Sequence, residues 1–326
     1  MVDAACAYLL LGVLECENVI LCLLIYNSFA FLLQVPLGYL IDKLLKPKIA
    51  AIIGLCLIAL AFLFWNTYYT GLLLMSIGNA LFHVGGGSLV LSLKEKRATF
   101  SGIFVAPGGI GLAFGTFLSV SSLEVNQLVF PMFLILLSLI LCYIKTPNFN
   151  RAVDVKSTSN HSLLIISFIL IPIVVRSLIG LSNEFPWKEN QFMLLILIAS
   201  VALGKVVGGF MADRFGLVHV GVGGFILSAP LLAFYSSVPI LGILGAFVFN
   251  FTMPVTLIAI LNHIPDKKGL AFGLTTAALF IGSIPIILDK IVWLENDWMV
   301  FSILLLASLI LLSALKFKDI FKTVKA

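Results

Sequence analysis

Gly208-Gly209-Phe210-Met211-Ala212-Asp213-Arg214-Phe215-Gly216 lies where one long apolar run, from Gln191, gives way to another beginning at Leu217. A tight hairpin between two hydrophobic segments needs small residues at its entrance and a helix stop at its exit. Gly208, Gly209 and Gly216 supply these. Asp213 can also hold a neighbouring helix end, because a carboxylate is attracted to a positive helix N-terminus. The pattern recurs at Gly38-Tyr39-Leu40-Ile41-Asp42-Lys43, again between two apolar runs. The two copies sit about half a chain apart, and an echo at half length reads as duplication of a multi-helix unit.

Composition fixes the solvent. Hydrophobic residues make up 61% of the chain and charged residues 11%, with a mean hydropathy of +1.17. A soluble domain is about a quarter charged, so this is an all-α integral membrane protein. The net charge of +5 is spread over short loops, which argues against a nucleic-acid partner. None of the five cysteines, Cys6, Cys16, Cys22, Cys56 and Cys142, forms a Cys-x-x-Cys pair, and they read as small packing residues.

A spanning helix needs about 20 apolar residues. The runs are 3–14, 18–41, 48–67, 70–92, 101–120, 127–144, 162–182, 191–212, 217–235, 238–262, 269–289 and 298–315. They divide as an N-terminal bundle over 1–144, a cytoplasmic linker over 145–160, a C-terminal bundle over 161–315 and a basic cytoplasmic tail over 316–326. Only a short stretch precedes Glu15, roughly 21 Å of helix against a core of about 30 Å. A signal peptide is not expected, since no basic region precedes the apolar run. The expectation is instead a chain that begins further upstream, which an intact-mass measurement would check.

Lys and Arg orient the chain. Placing the Asp42 loop inside also puts inside Lys43, Lys46, Lys48, Lys94, Lys96, Arg97, Lys145, Arg151, Lys156, Arg214, Lys267, Lys268 and the basic tail from Lys316 to Lys325. Lys188 and Lys290 stay outside. By the positive-inside rule both termini are cytoplasmic, and the amphipathic basic tail lies on anionic lipid.

The repeated Gly-x-x-x-Asp-Arg/Lys loop, followed by basic residues, resembles the signature of the major facilitator superfamily (MFS). The matching residues are Gly38, Asp42 and Lys43 in the first copy and Gly209, Asp213, Arg214 and Gly216 in the second. Leu45 stands where the family has glycine. The resemblance implies two six-helix bundles, twelve transmembrane helices with the first shortened, and a pseudo-two-fold axis along the membrane normal. It also implies a central cavity that opens alternately to each side, with Asp42 and Asp213 stabilising the outward-open state. Asp213 is then expected near the start of the fifth helix at Ser101, and Asp42 near the start of the eleventh at Gly269.

Polar residues inside the apolar runs are the functional candidates, because an ionisable group in lipid must face protein or water. Arg176 and Lys205 are cations within the seventh and eighth runs. They point either to an anionic substrate in a polar cavity or to pairing with helix carbonyls and snorkelling. Asn79 and His83 share one helix face, and histidine as a residue type ionises near neutrality. His83 and Asp3 are therefore the proton-coupling candidates. Against this, His83 can be a hydrogen-bonded packing residue, and Asp3 can reach cytoplasmic water. Asn27, Gln34 and Asn250 are further cavity candidates. Gly85-Gly86-Gly87 lacks a phosphate-loop ending and reads as close helix contact. Pro107, Gly108, Gly109 and Gly111 read as helix-bending residues. They partly resemble the glycine-proline signature of exchangers in the same superfamily, with Ala106 in place of a glycine.

The chain is expected to be a secondary active transporter in the cell membrane, driven by a proton or solute gradient and carrying a small organic anion or zwitterion. A proton-coupled exporter (antiporter) of drugs or toxic compounds is the alternative, and a non-transporting receptor or scaffold of the same fold is a reading of another class. An enzyme is not expected: His-Glu-x-x-His, Gly-x-Ser-x-Gly and paired intramembrane acids are all missing from the sequence. Neither ATP, nor a metal, nor any other cofactor is expected. The partners are the substrate, a coupling proton and lipid.

Overall fold

The computed structural model describes residues 1–14, 16–93, 97–121, 125–147 and 160–324, with backbone alone at 160 and from 317 onward. Glu15, Lys94, Lys96, Arg151, Lys156, Lys325 and the linker positions 148–159 lie outside the described residues. Among the described residues the apolar runs become twelve helices. These are α1 (Val2–Val13), α2 (Val19–Leu44), α3 (Pro47–Phe64), α4 (Tyr68–Leu93), α5 (Ala98–Val120) and α6 (Val129–Tyr143). The second set is α7 (Asn160–Ser182), α8 (Gln191–Phe215), α9 (Leu217–Phe234), α10 (Pro239–Leu261), α11 (Lys268–Ile287) and α12 (Asp297–Val324). Ten of them are long and apolar enough to cross a membrane, and α1 and α6 are shorter. The protein is an integral, multi-pass membrane protein. Its exposed apolar side chains, such as Met132, Leu136, Leu227 and Leu306, are those of a surface whose solvent is lipid.

Local chemistry sets the helix ends. Asn18 accepts a hydrogen bond from the Leu21 N–H at 3.0 Å. Asn190 accepts from Phe192 at 3.0 Å and Met193 at 3.3 Å, so both are side-chain N-caps. Pro47 and Pro239 open α3 and α10, where a missing N–H costs nothing. Gly216 separates α8 from α9 at φ +90°, a backbone state that glycine adopts without strain. The corresponding residue after Asp42 is Leu45, which closes α2 at φ 57°. Lys48 caps the far end of α6, donating at 2.8 Å to both the Cys142 and Ile144 carbonyls, which a helix C-terminus otherwise leaves open.

The chain divides into two compact units. The first comprises Met1–Glu95, Pro107–Val153 and Asp266–Phe280. The second comprises Lys96–Ala106, Asp154–Pro265 and Ile281–Ala326. In the first, Tyr8 stacks on Phe130 at 4.9 Å between ring centres, over a core that includes Leu9, Ile58, Leu72 and Met75. Helices α3 and α4 run backbone to backbone. A Cβ on Gly54 would stand 2.5 Å from the Phe82 nitrogen, and one on Gly85 2.6 Å from the Ala51 nitrogen. Gly85 thus serves close contact with α3, and Gly87 is turned onto the Phe272 ring. In the second unit, Phe225 meets Phe249 edge-on at 5.9 Å amid Ile179, Leu304 and Leu311.

The hairpin expected at Gly208-Gly209 is not where the chain turns. Helix α8 runs on to Phe215, so both glycines lie inside it. They serve close packing, Gly208 against Phe251 and Gly209 against Ala98 and Thr99. The turn itself is made by Gly216 alone.

Candidate functional site

The two motif aspartates each meet the first turn of another helix. A helix leaves its first N–H groups without intrahelical partners, and a carboxylate there gains both hydrogen bonds and dipole attraction. In the first unit Asp42 accepts from the Gly269 and Leu270 N–H groups of α11, both at 2.8 Å. Gly38, one turn earlier, allows this approach, since a Cβ there would fall on the Gly269 carbonyl. In the second unit Asp213 accepts from the Ala98 N–H at 2.7 Å, the Thr99 N–H at 3.1 Å and the Thr99 hydroxyl. Gly209 plays the part of Gly38, its Cβ position only 2.6 Å from the Ala98 oxygen. The partner lies earlier than Ser101 because α5 begins at Ala98, and orphan N–H groups belong to the first turn. Ser101 instead hydrogen-bonds the Ala98 carbonyl. Lys43 is exposed, and the Arg214 guanidinium rests 5.5 Å from the Phe215 ring centre.

The polar residues of the first unit form two small networks. Asp3 on α1 and His83 on α4 form a pair, Oδ1 to Nε2 at 3.0 Å, with side chains 26% and 21% exposed. The fit depends on α5. Gly108 lies beneath the Asp3 carboxylate, Gly111 beneath its Cβ, and Gly115 against the Ala4 backbone. One turn before His83, the Asn79 amide donates to the Tyr26 hydroxyl at 3.0 Å and to the Cys6 sulfur at 3.6 Å. The second network joins Gln34 to Thr276. The Gln34 amide donates to the Ala30 carbonyl at 2.6 Å, and its oxygen accepts from the Thr276 hydroxyl at 3.1 Å. Asn27 turns back onto its own helix, donating to the Leu23 carbonyl at 2.8 Å, beside a π turn at Ser28–Leu32.

Tyr26 and Thr276 were not among the sequence candidates, and a tyrosine or threonine in an apolar run carries no signal of its partner. Pro107 is exposed within a continuous α5. Gly108 and Gly111 face α1, so the run acts by contact at those positions.

The second unit holds Arg176, Lys205 and Asn250. Arg176 on α7 is 6% exposed, and its Nε and Nη2 have no hydrogen-bond partner among the described residues. A guanidinium keeps its charge under almost all conditions, so this is a buried cation with part of its donor set open. Lys205 on α8 is half-buried, and its backbone carbonyl packs where a Cβ on Gly102 would sit. Asn250 lies beside Gly204 and donates to the Ala246 carbonyl at 2.8 Å.

No protein-family model matches the sequence, and no curated protein matches it at the level of sequence. Solved structures do resemble it. FucP, an MFS transporter held in the outward conformation, aligns with a TM-score of 0.68 at 15% identity, over 97% of this chain and 97% of its own. An E. coli fucose:proton symporter structure of FucP gives the same score over 97% and 98%. The human organic anion transporter MFSD10 aligns at 0.63 and 17% identity, over 88% and 83%. An outward-facing bacterial homologue of the iron transporter ferroportin aligns at 0.63 and 16% identity, over 96% of both chains. With its twelve apolar helices and this likeness over nearly the whole length, the chain has the fold of the major facilitator superfamily transporters.

Proposed function

We propose that the protein is a secondary active transporter that moves a small organic anion or zwitterion across the cell membrane by alternating access. The observation that carries this reading is Arg176, a buried guanidinium with open donors inside a fold shared with transporters. A buried charge with donors left unpaired is costly, and a substrate of opposite charge offsets that cost. In this reading residues 1–144 and 161–315 are the two bundles of the transporter, joined by the linker 145–160. Asp42 and Asp213 bias the equilibrium by holding helix starts. Both termini, including the tail 316–326, face the cytoplasm in accord with the placement of Lys and Arg. The Asp3–His83 pair is the candidate site for the coupling proton, and Asn79, Gln34, Asn27, Asn250 and Lys205 line the substrate route.

Proteoliposomes containing the purified protein test this reading against a panel of labelled organic anions and zwitterions, with and without a proton gradient. Accumulation above equilibrium, driven by the gradient, is the expected result. Substrate binding without flux for every compound would overturn it in favour of a non-transporting receptor. An exporter of lipophilic cations is the weaker reading, since a buried cation repels that cargo.

A further inference from the structure

We infer that the Nε–Nη2 edge of Arg176 is the recognition site for a carboxylate, taken side-on, and that the group held there carries a single negative charge. This rests on the transporter reading above and narrows its substrate class. The two open nitrogens are not an arbitrary pair. In a guanidinium, the Nε–H and the nearer Nη2–H lie on one edge of the plane and point the same way. That edge is the one that meets both oxygens of a carboxylate in a two-point contact. Both atoms are unpartnered among the described residues and closed to solvent in this conformation, so the edge is a complete bidentate face that a carboxylate reaches when the helices around it part.

The snorkelling alternative is met by the same geometry. An arginine that snorkelled to the interface would expose its head group, whereas Arg176 is 6% exposed. The helix around it is also held on either side. Gly282 packs against the Val174 carbonyl, and Phe249 lies 3.5 Å from a Cβ position on Gly180. On the same helix Ile173 and Ile179 are fully buried and Ser177 is buried beside Arg176, so this stretch of α7 is shielded from water. There, charge matching decides the class. One guanidinium and one carboxylate sum to zero, while a dianion on Arg176 leaves a net buried negative charge that is costly to desolvate.

The test is thermal unfolding of the full-length protein in detergent, titrated with butyrate, benzoate, inorganic phosphate, sulfate, glucose and benzyltrimethylammonium. Wild type, Arg176→Lys and Arg176→Gln are compared, each first checked for a monodisperse folded form. Butyrate or benzoate is expected to stabilise wild type. Arg176→Lys keeps the charge but loses the two-point edge, so apparent affinity should fall roughly ten-fold or more. Arg176→Gln should abolish the shift. Competition in wild type needs no variant: phosphate and sulfate should displace benzoate weakly or not at all. The inference is overturned if neither monocarboxylate shifts wild type, if Arg176→Lys binds within two-fold of wild type, or if phosphate competes as well as benzoate. Gradient-driven uptake of a solute other than a carboxylate would overturn this inference and leave the transporter reading standing. Carboxylate binding with no flux of any solute would do the reverse.

Discussion

Replacing Asp42 by Asn should weaken the fold more than the same change at Asp213, although Asp213 makes more hydrogen bonds. Asp42 is half-buried and accepts two backbone N–H bonds of 2.8 Å. A hydrogen bond to a charged group is worth about 1.5–3 kcal/mol, against about 0.5–1.5 for a neutral one. Asparagine keeps one acceptor oxygen and turns an NH2 toward the other donor, so one charge-assisted bond is lost and the other weakened. The expected cost is about 2 kcal/mol. Asp213 is exposed, so water can replace the lost bonds and only the surface helix-dipole contribution of about 0.3–1 kcal/mol remains at stake. Denaturant unfolding in detergent at low and high salt separates the two. Near 0.5 M salt the screening length is roughly 4–5 Å, and the small Asp213→Asn effect should fade while the Asp42→Asn effect persists. Equal losses in the two variants, or a larger loss at Asp213 that salt leaves unchanged, would refute the argument from burial.

The glycine contacts make a paired prediction. Gly38→Ala places a methyl on the Gly269 carbonyl, whereas a Cβ on Gly223 meets nothing within 4 Å. The first should cost about 1–3 kcal/mol by forcing α2 and α11 apart, and the second should stabilise α9 by up to about 1 kcal/mol through helix propensity; unfolding midpoints check both. Leu45 closes α2 in the left-handed region, a state that costs a non-glycine residue roughly 1–2 kcal/mol. Allowing for the extra unfolded-state entropy of glycine, Leu45→Gly should raise stability by about 0.5–1 kcal/mol, and Gly216→Leu should lower it. The Asp3–His83 pair is open to a double-mutant cycle with Asp3→Asn and His83→Gln. Each change should cost about 1–3 kcal/mol, and the double variant should cost less than their sum by at least about 0.5 kcal/mol. Strict additivity would mean that the pair contributes no coupling. Lys48→Met should remove the cap on α6 at a cost of about 1 kcal/mol, read as faster amide exchange at the last turn before Ile144.

The sequence by itself determined the solvent and the twelve segments, while the helix starts that Asp42 and Asp213 meet were expected only from the family resemblance. The solvent and the segments follow from short-range chemistry. A run of apolar residues long enough for a bilayer must be a helix, and a stop such as Gly216 announces its end within a few residues. The intramembrane cations and polar residues were legible for the same reason, since each stands out in an apolar run. Only the tertiary structure decided what these residues meet. It paired Asp3 with His83, joined Asn79 to Tyr26 and Gln34 to Thr276, put Gly108 and Gly111 against α1, and left one edge of Arg176 open. It also moved Gly208 and Gly209 from a turn into the body of α8. The physical reason is that a membrane helix is apolar on both its lipid-facing and its protein-facing sides. The 3.6-residue stripe that tells a soluble helix which way to face is therefore erased, and facing is set by packing between segments far apart in the chain.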